Sequence, residues 1–155
     1  MEDRLAHPAP ELPLHKCTSA LYLAVMRVSD AMSTVVLTVG PSHSLRHVAK
    51  RMSEQRVGAA VVDDQDGQGP GILTERDILE SVAASDDLDA ELAGDHLTQR
   101  AVVADPEWSL DTAAAAMLRG GFRHLVVCQD GVVVGVLSMR DVVRSWSEQP
   151  THASA

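Results

Sequence analysis

Gly71-Ile72-Leu73-Thr74-Glu75-Arg76-Asp77 returns near the end of the chain as Gly135-Val136-Leu137-Ser138-Met139-Arg140-Asp141. Each copy reads as a short apolar strand that enters a helix through a hydroxyl residue, with Arg-Asp one turn further on. The likeness extends outward from this core. At an offset of 65, Asp30 matches Asp95, Pro41 matches Pro106, and Ser44-Leu45 matches Ser109-Leu110. Ala49, Met52 and Val61-Val62 fall on Ala114, Met117 and Val126-Val127. One residue is lost in the next turn, and at an offset of 64 Gly71, Leu73, Arg76 and Asp77 fall on Gly135, Leu137, Arg140 and Asp141. Two copies of one supersecondary unit account for the whole pattern.

A single copy would expose most of its surface, so the two are expected to pack on each other within the 155 residues. Hydrophobic residues make up 45% and aromatic residues only 3%, so the core must be built from Val, Leu, Ile, Ala and Met. A net charge of -9 argues against a nucleic-acid or anionic-membrane surface, which needs a basic patch. It leaves room for a phosphate-bearing small molecule held by a few local cations. Cys17 and Cys128 have no metal or redox spacing, as expected of reduced thiols in a cytoplasmic protein. No apolar run approaches the ~20 residues of a membrane span, and the start lacks a signal-peptide pattern. Sparse Lys against Arg, with abundant Ala, points to a bacterial source.

Residues 1–13 hold three prolines and read as a flexible tail. A leading helix is expected over 14–27, and its apolar stripe, Leu21, Ala24, Val25, Val28 and Met32, runs on toward the first unit. The first unit covers 28–85, an acidic linker 86–94, the second unit 95–147, and a second tail 148–155. Each unit reads strand–helix–strand–strand–helix. In copy one the strands are 35–39, 57–62 and 71–73, and Ser44 caps the first helix. The second helix offers Ile78, Leu79, Val82 and Ala83 as its inner face. In copy two Ser109 opens a helix with Leu110, Ala113, Ala114 and Met117 inward. A hairpin turns around Gln129-Asp130-Gly131, and Val142, Val143 and Trp146 face inward from the last helix. The fold class is α+β, with two β-α-β-β-α units and two small mixed sheets.

Thr74-x-x-Asp77 and Ser138-x-x-Asp141 have two compatible readings. One is a capping box, in which the hydroxyl bonds a free N–H and the acid reaches back. The other uses the same helix start to receive an anion, with the carboxylate beside it accepting from a ribose diol. The motif alone does not decide between them.

Taken together, the ordered set resembles a pair of CBS domains, the module named after cystathionine β-synthase. The matching features are Val28-x-Asp30-x-Met32, Pro41-x-x-Ser44-Leu45, Gly58 to Val62 and Gly71 to Asp77, followed in copy two by Asp95, Pro106, Ser109-Leu110, Arg123 to Val127 and Gly135 to Asp141. The resemblance covers residues 26–147. It implies pseudo-twofold packing of two units around two clefts that take adenosine-containing ligands such as AMP, ADP, ATP or S-adenosylmethionine. The motif Asp would hold the ribose, the hydroxyl residue would help with phosphate, and basic residues on the second strand of the other unit would complete the site.

Carried onto this chain, the resemblance gives a main cleft of Thr74, Asp77, Arg123 and His124, with adenine near Ser33, Thr34 and Val35. Arg123 can engage phosphate bidentately. A second cleft of Ser138, Asp141, Gly58 and Ala59 keeps the acid but has no cation at the matching strand positions, and is expected to bind more weakly. The expectation is a stand-alone regulatory pair with no required cofactor and an adenine nucleotide as regulatory ligand. It would form a homodimer through helix faces and signal to a separate, unknown effector protein. The competing readings are a ligand-free structural or interaction module of the same fold, and a small enzyme, for which no nucleophile–base pair or metal triad is found.

Other signals carry less. Asp64, Asp66, Gln68, Gly69 and Glu75 follow part of an EF-hand spacing, but Gln at position five and flanking strands favour a hairpin loop. His43 and His47 lack a third metal ligand. Cys128 and His124 sit ~13 Å apart along a strand, too far for activation. Met26, Met32, Met52 and Met117 read as core.

Overall fold

The computed structural model describes residues 26–63, 69–99 and 101–148. The tails, most of the expected leading helix, Cys17 and the EF-hand-like loop at 64–68 lie outside the described residues. Two repeats of the expected order are present. Helix α1 (Val28–Ala31) leads into strand β1 (Thr38–Val39), α2 (Leu45–Gln55), β2 (Ala59–Val62), β3 (Gly71–Thr74) and α3 (Glu75–Ala84). Helix α4 (Ala93–His96) leads into β4 (Val103–Ala104), α5 (Leu110–Gly120), β5 (His124–Gln129), β6 (Val132–Ser138) and α6 (Met139–Ser147). Each copy builds one three-stranded sheet, ordered β1-β2-β3 and β4-β5-β6. The first pair in each is parallel and the second antiparallel. The expected α+β class is the observed one.

Local chemistry sets most boundaries. Ser44 accepts a hydrogen bond from the His47 N–H and Ser109 from the Thr112 N–H, capping α2 and α5. Asp130 (φ 51°) and Gly131 (φ 80°) form a two-residue hairpin turn in which both residues are left-handed, as strand twist prefers. Along β2, Ala60 and Val62 face the helices while Ala59 and Val61 face the other sheet. Both faces of this strand are therefore buried. Ala59, Val61, Ile72, Ala101 and Val126 form the layer between the sheets. Opposite Val127–Cys128 the register of β6 slips, leaving Val134 as an extra residue. The slip lets Val133 and Val136 both reach the inter-sheet layer.

The short lead-in segments are exchanged between copies. Val28 of α1 is buried in the second core, with Leu110, Leu125, Leu137 and Val142. Leu88, Ala93 and Leu97, from the expected linker and α4, pack into the first core beside Leu45 and Leu73. The hydrogen bonds repeat in kind. Val28 N–H donates to the Trp108 carbonyl (2.8 Å) and Ser29 N–H to that of Pro106 (3.0 Å). Ala93 N–H donates to the His43 carbonyl (2.8 Å) and Gly94 N–H to that of Pro41 (2.8 Å). These bonds satisfy N–H groups that a one-turn helix cannot satisfy itself. A polar clamp secures the second exchange. Buried Ser81 on α3 shares a hydrogen bond with His96 Nδ1 (3.1 Å), and His96 Nε2 pairs with Glu91 (2.7 Å).

Three sequence expectations differ. An apolar helix running through Val28 to Met32 is not what forms, because Arg27 (ψ 161°) and Met32 (ψ 149°) are both extended and bound a single turn. The strand expected at 35–39 shrinks to two residues, and its repeat equivalent β4 is as short, since the chain is crossing between sheets there. Ser33 pairs with Val136 of β6, whereas the Leu37 carbonyl accepts from Val61 N–H of β2. Finally, Leu79 (67% exposed) and Val82 (53%) face outward, as do their repeat equivalents Val143 (54%) and Trp146 (45%). The inward stripe is instead Ile78 with Ser81 on α3, and Val142 on α6.

Gly71 and Gly135 open the repeated motif for one packing reason. A Cβ on Gly135 would meet Met32 Sδ at 2.7 Å and the Ser33 carbonyl oxygen at 2.9 Å. On Gly71 it would meet Leu97 Cδ1 at 2.6 Å, the end of a movable side chain. Gly135→Ala should therefore cost about 1–3 kcal/mol by urea denaturation, and Gly71→Ala clearly less. Equal costs would refute this account.

Candidate functional site

Each sheet delivers its last strand straight into a helix, and the strand–helix junction carries the repeated acid. At Thr74 the backbone N–H donates to Asp77 Oδ2 (2.6 Å), and the hydroxyl donates to the same oxygen (2.8 Å). At Ser138 the N–H donates to Asp141 Oδ2 (3.0 Å), the hydroxyl donates to that oxygen too, and Ser138 Oγ accepts from Asp141 N–H. In both copies every one of these bonds to the carboxylate falls on Oδ2. Oδ1 takes none among the described residues. Each carboxylate is thus oriented by its own helix start while one oxygen keeps its accepting capacity.

Two cavities open at these junctions. The smaller, about 240 Å³, joins Thr74 and Asp77 to Arg123 and His124, with Thr98, Ala101 and Val102 along its wall. The larger, about 680 Å³, joins Ser138 and Asp141 to Gly58 and Ala59. Ser33 and Val35, expected beside Asp77, line this larger cavity instead. The reason is the exchange, since Ser33 is paired to β6 just before Ser138. Thr34 is exposed and lines neither cavity.

The expected charge contrast between the clefts also changes. Gly58 and Ala59 carry no charge, but Arg56, Arg140 and Arg144 line the larger cavity, and Arg123 and His124 face it as well as the smaller one. Sequence comparison of strand positions misses Arg56 and Arg144 because they come from the end of α2 and from α6. A signal was present in the repeat alignment, where Arg56 stands opposite Gly121, and Arg144 opposite Glu80. Arg56 sits at φ 55°, a left-handed cap, and its counterpart Gly121 at φ 69°.

Between the cavities, Arg123 Nη2 pairs with Glu75 Oε1 at 3.0 Å across the two copies. Both side chains are more than half exposed, so the pair itself adds little stability. Gly58 gives His124 room, since a Cβ there would lie 3.3 Å from its ring. Burial pushes the His124 pKa below its ordinary 6.5, Glu75 and Asp141 pull it up, and Arg123 and Arg140 push it down. Burial raises the Cys128 thiol pKa, the reverse of an activated nucleophile. Among the described residues no group of three or more His, Cys, Asp or Glu is placed to hold a metal, and no helix is long and apolar enough to cross a membrane.

The fold and its composite cavities define a duplicated α+β module whose two copies complete each other. A family model described as CBS domain matches residues 28–84 and again 93–148, and the chain belongs to the CBS-domain family. An uncharacterized 17.7 kDa protein of Acidianus ambivalens is 32% identical over 120 residues, 77% of this chain and 72% of that one. Against two longer archaeal relatives the match spans 41% and 61% of their length. Among solved structures, a CBS-domain-containing protein from Agrobacterium tumefaciens superposes with a TM-score of 0.73 at 32% identity, covering 81% of this chain and 98% of that one. A CBS domain protein from Pyrobaculum aerophilum complexed with AMP gives 0.69 at 30% identity, covering 79% and 98%.

The depressed His124 pKa has a consequence for stability. Above pH 6.5 the ring is neutral in both folded and unfolded chains. As pH falls through 6.5 the unfolded chain takes up its proton first, so stability declines until the folded-state value is passed. Unfolding free energies measured from pH 8 to 5 should show this decline, and His124→Gln should flatten part of it. Identical slopes in the two proteins would contradict the burial argument.

Proposed function

We propose that this chain is a regulatory adenine-nucleotide sensor without catalysis of its own, and that the larger cavity is its primary site. The observation that carries this reading is Asp141, with Oδ1 open, in a cavity that also holds Arg56, Arg123, Arg140 and Arg144. A carboxylate with one uncommitted oxygen suits a ribose diol, and arginines suit phosphate. In this reading adenine lies along Val35 and Val36, which are apolar and part of the same wall. The bound AMP of the Pyrobaculum relative is support from a homologue. The cation cluster favours AMP, ADP or ATP over S-adenosylmethionine, whose sulfonium it would repel. The cavity of Thr74, Asp77, Arg123 and His124 is a second site of smaller volume and fewer cations.

Signalling requires that ligand bind two states of the protein differently. The exchanged segments supply a means, because each cavity wall contains chain from both copies. An effector protein would read the change. The repeat-equivalent apolar pairs Leu79–Val82 and Val143–Trp146 support a homodimer through α3 and α6.

Calorimetry with AMP, ADP, ATP and S-adenosylmethionine tests the ligand assignment. The nucleotides should bind and S-adenosylmethionine should bind least. Asp141→Ala and Arg144→Ala should each weaken the tighter site by about tenfold or more, as loss of a charge-assisted hydrogen bond implies. Unchanged affinities in both variants would remove the larger cavity from consideration.

A further inference from the structure

We infer that the two cavities compete for one cation, so that anionic ligands in them oppose each other. This rests on reading both cavities as nucleotide sites. Arg123 and His124 belong to the walls of both. Their repeat equivalents, Gly58 and Ala59, carry no charge, so the duplication has left the shared basic edge on one side only. Arg123 is fastened to Glu75, which lines the larger cavity and is the first residue of α3. The next residues of the same helix, Arg76 and Asp77, line the smaller one.

Consider a phosphate in the smaller cavity. Besides Arg76 and the half-buried His124, whose pKa burial lowers, Arg123 is the cation that lines this cavity. Turning its fork onto the phosphate draws Arg123 away from Glu75, which it holds through Nη2. The larger cavity then loses a cation and faces an uncompensated carboxylate. An anion bound there is weakened twice, once by the lost attraction and once by new repulsion. The reverse order works equally. A phosphate in the larger cavity recruits Arg123 to that side, away from the ligand near Asp77. Coupling between two binding equilibria is reciprocal by necessity. Arg140, Arg144 and Arg56 remain with the larger cavity throughout, so it fills first and the coupling is read in the smaller one. Because the ion pair is exposed and screened, the expected effect is at the low end of the usual range, about fivefold in affinity.

The experiment is AMP calorimetry at low and high salt on wild type, Asp141→Ala and Arg123→Gln. Asp141→Ala weakens the larger cavity, so the smaller one fills with less opposition from it. The expected result is two AMP per wild-type chain, with the smaller cavity about fivefold weaker than in Asp141→Ala, the difference shrinking at high salt. In Arg123→Gln both affinities should fall while the dependence of one on the other disappears. Equal affinity of the smaller cavity in wild type and Asp141→Ala overturns the coupling. So does a dependence that survives in Arg123→Gln, or a single AMP per chain in wild type and Arg123→Gln alike. Failure of wild type to bind any AMP instead overturns the nucleotide reading on which the coupling stands. Circular dichroism of each variant confirms that the fold is intact.

Discussion

The close approach of each lead-in segment to the last strand of the other copy's sheet is the contact on which the architecture depends. At Gly135 the chain around Met32 and Ser33 lies where a Cβ would be, and at Gly71 the side chain of Leu97 does the same. That proximity lets Ser33 pair with Val136 and Thr98 with Ile72. It also lets Val28 and Ala93 bury themselves completely in cores that the other repeat built. Neither repeat has a closed core by itself, which is the physical reason a small unit of this kind is found doubled. The same contact makes the cavities. By pinning residue 33 beside β6, it carries Val35 and Val36 over the Ser138–Asp141 junction while their neighbours Thr38 and Val39 join the other sheet.

Features that depend on a few adjacent residues were legible in the sequence. Ser44 and Ser109 cap their helices, Asp130-Gly131 turns its hairpin, and Thr74 with Ser138 ends a strand and starts a helix. The repeat offset gave the order of elements for the same reason. An offset states which residues are equivalent, however, and is silent on which copy each one packs against. The exchange of α1 and α4 was therefore hidden, and with it the cavity to which Ser33 and Val35 belong. Helix faces were misread where apolar residues occupy more of the circumference than the core can cover. On α6, Val142 is buried while Val143 and Trp146 are exposed, and nothing in a 3.6-residue period distinguishes them. Of the site, the grouping of Thr74, Asp77, Arg123 and His124 was accessible only through the family resemblance, since it joins residues far apart in the chain. Arg56 and Arg144 were not, because their place in the cavity depends on where α2 ends and how α6 is rotated.

Divergence between the copies then sets the electrostatics. The shared backbone requires a left-handed residue after α2 and after α5, and glycine meets that need at position 121 without strain. Position 56 meets it with arginine, at a cost of order 1 kcal/mol. The strained residue is one of those lining the larger cavity. Packing gives no reason for it, since Arg56 is exposed and its repeat partner shows that the turn works with no side chain at all. The substitution of Arg144 for the equivalent Glu80 moves charge in the same direction at the same cavity. Two independent departures from symmetry thus add cations to one side of a molecule whose total charge is strongly negative. Charge added against both local backbone preference and the overall balance of the chain is explained by what it lines, and both residues line the cavity that holds Asp141.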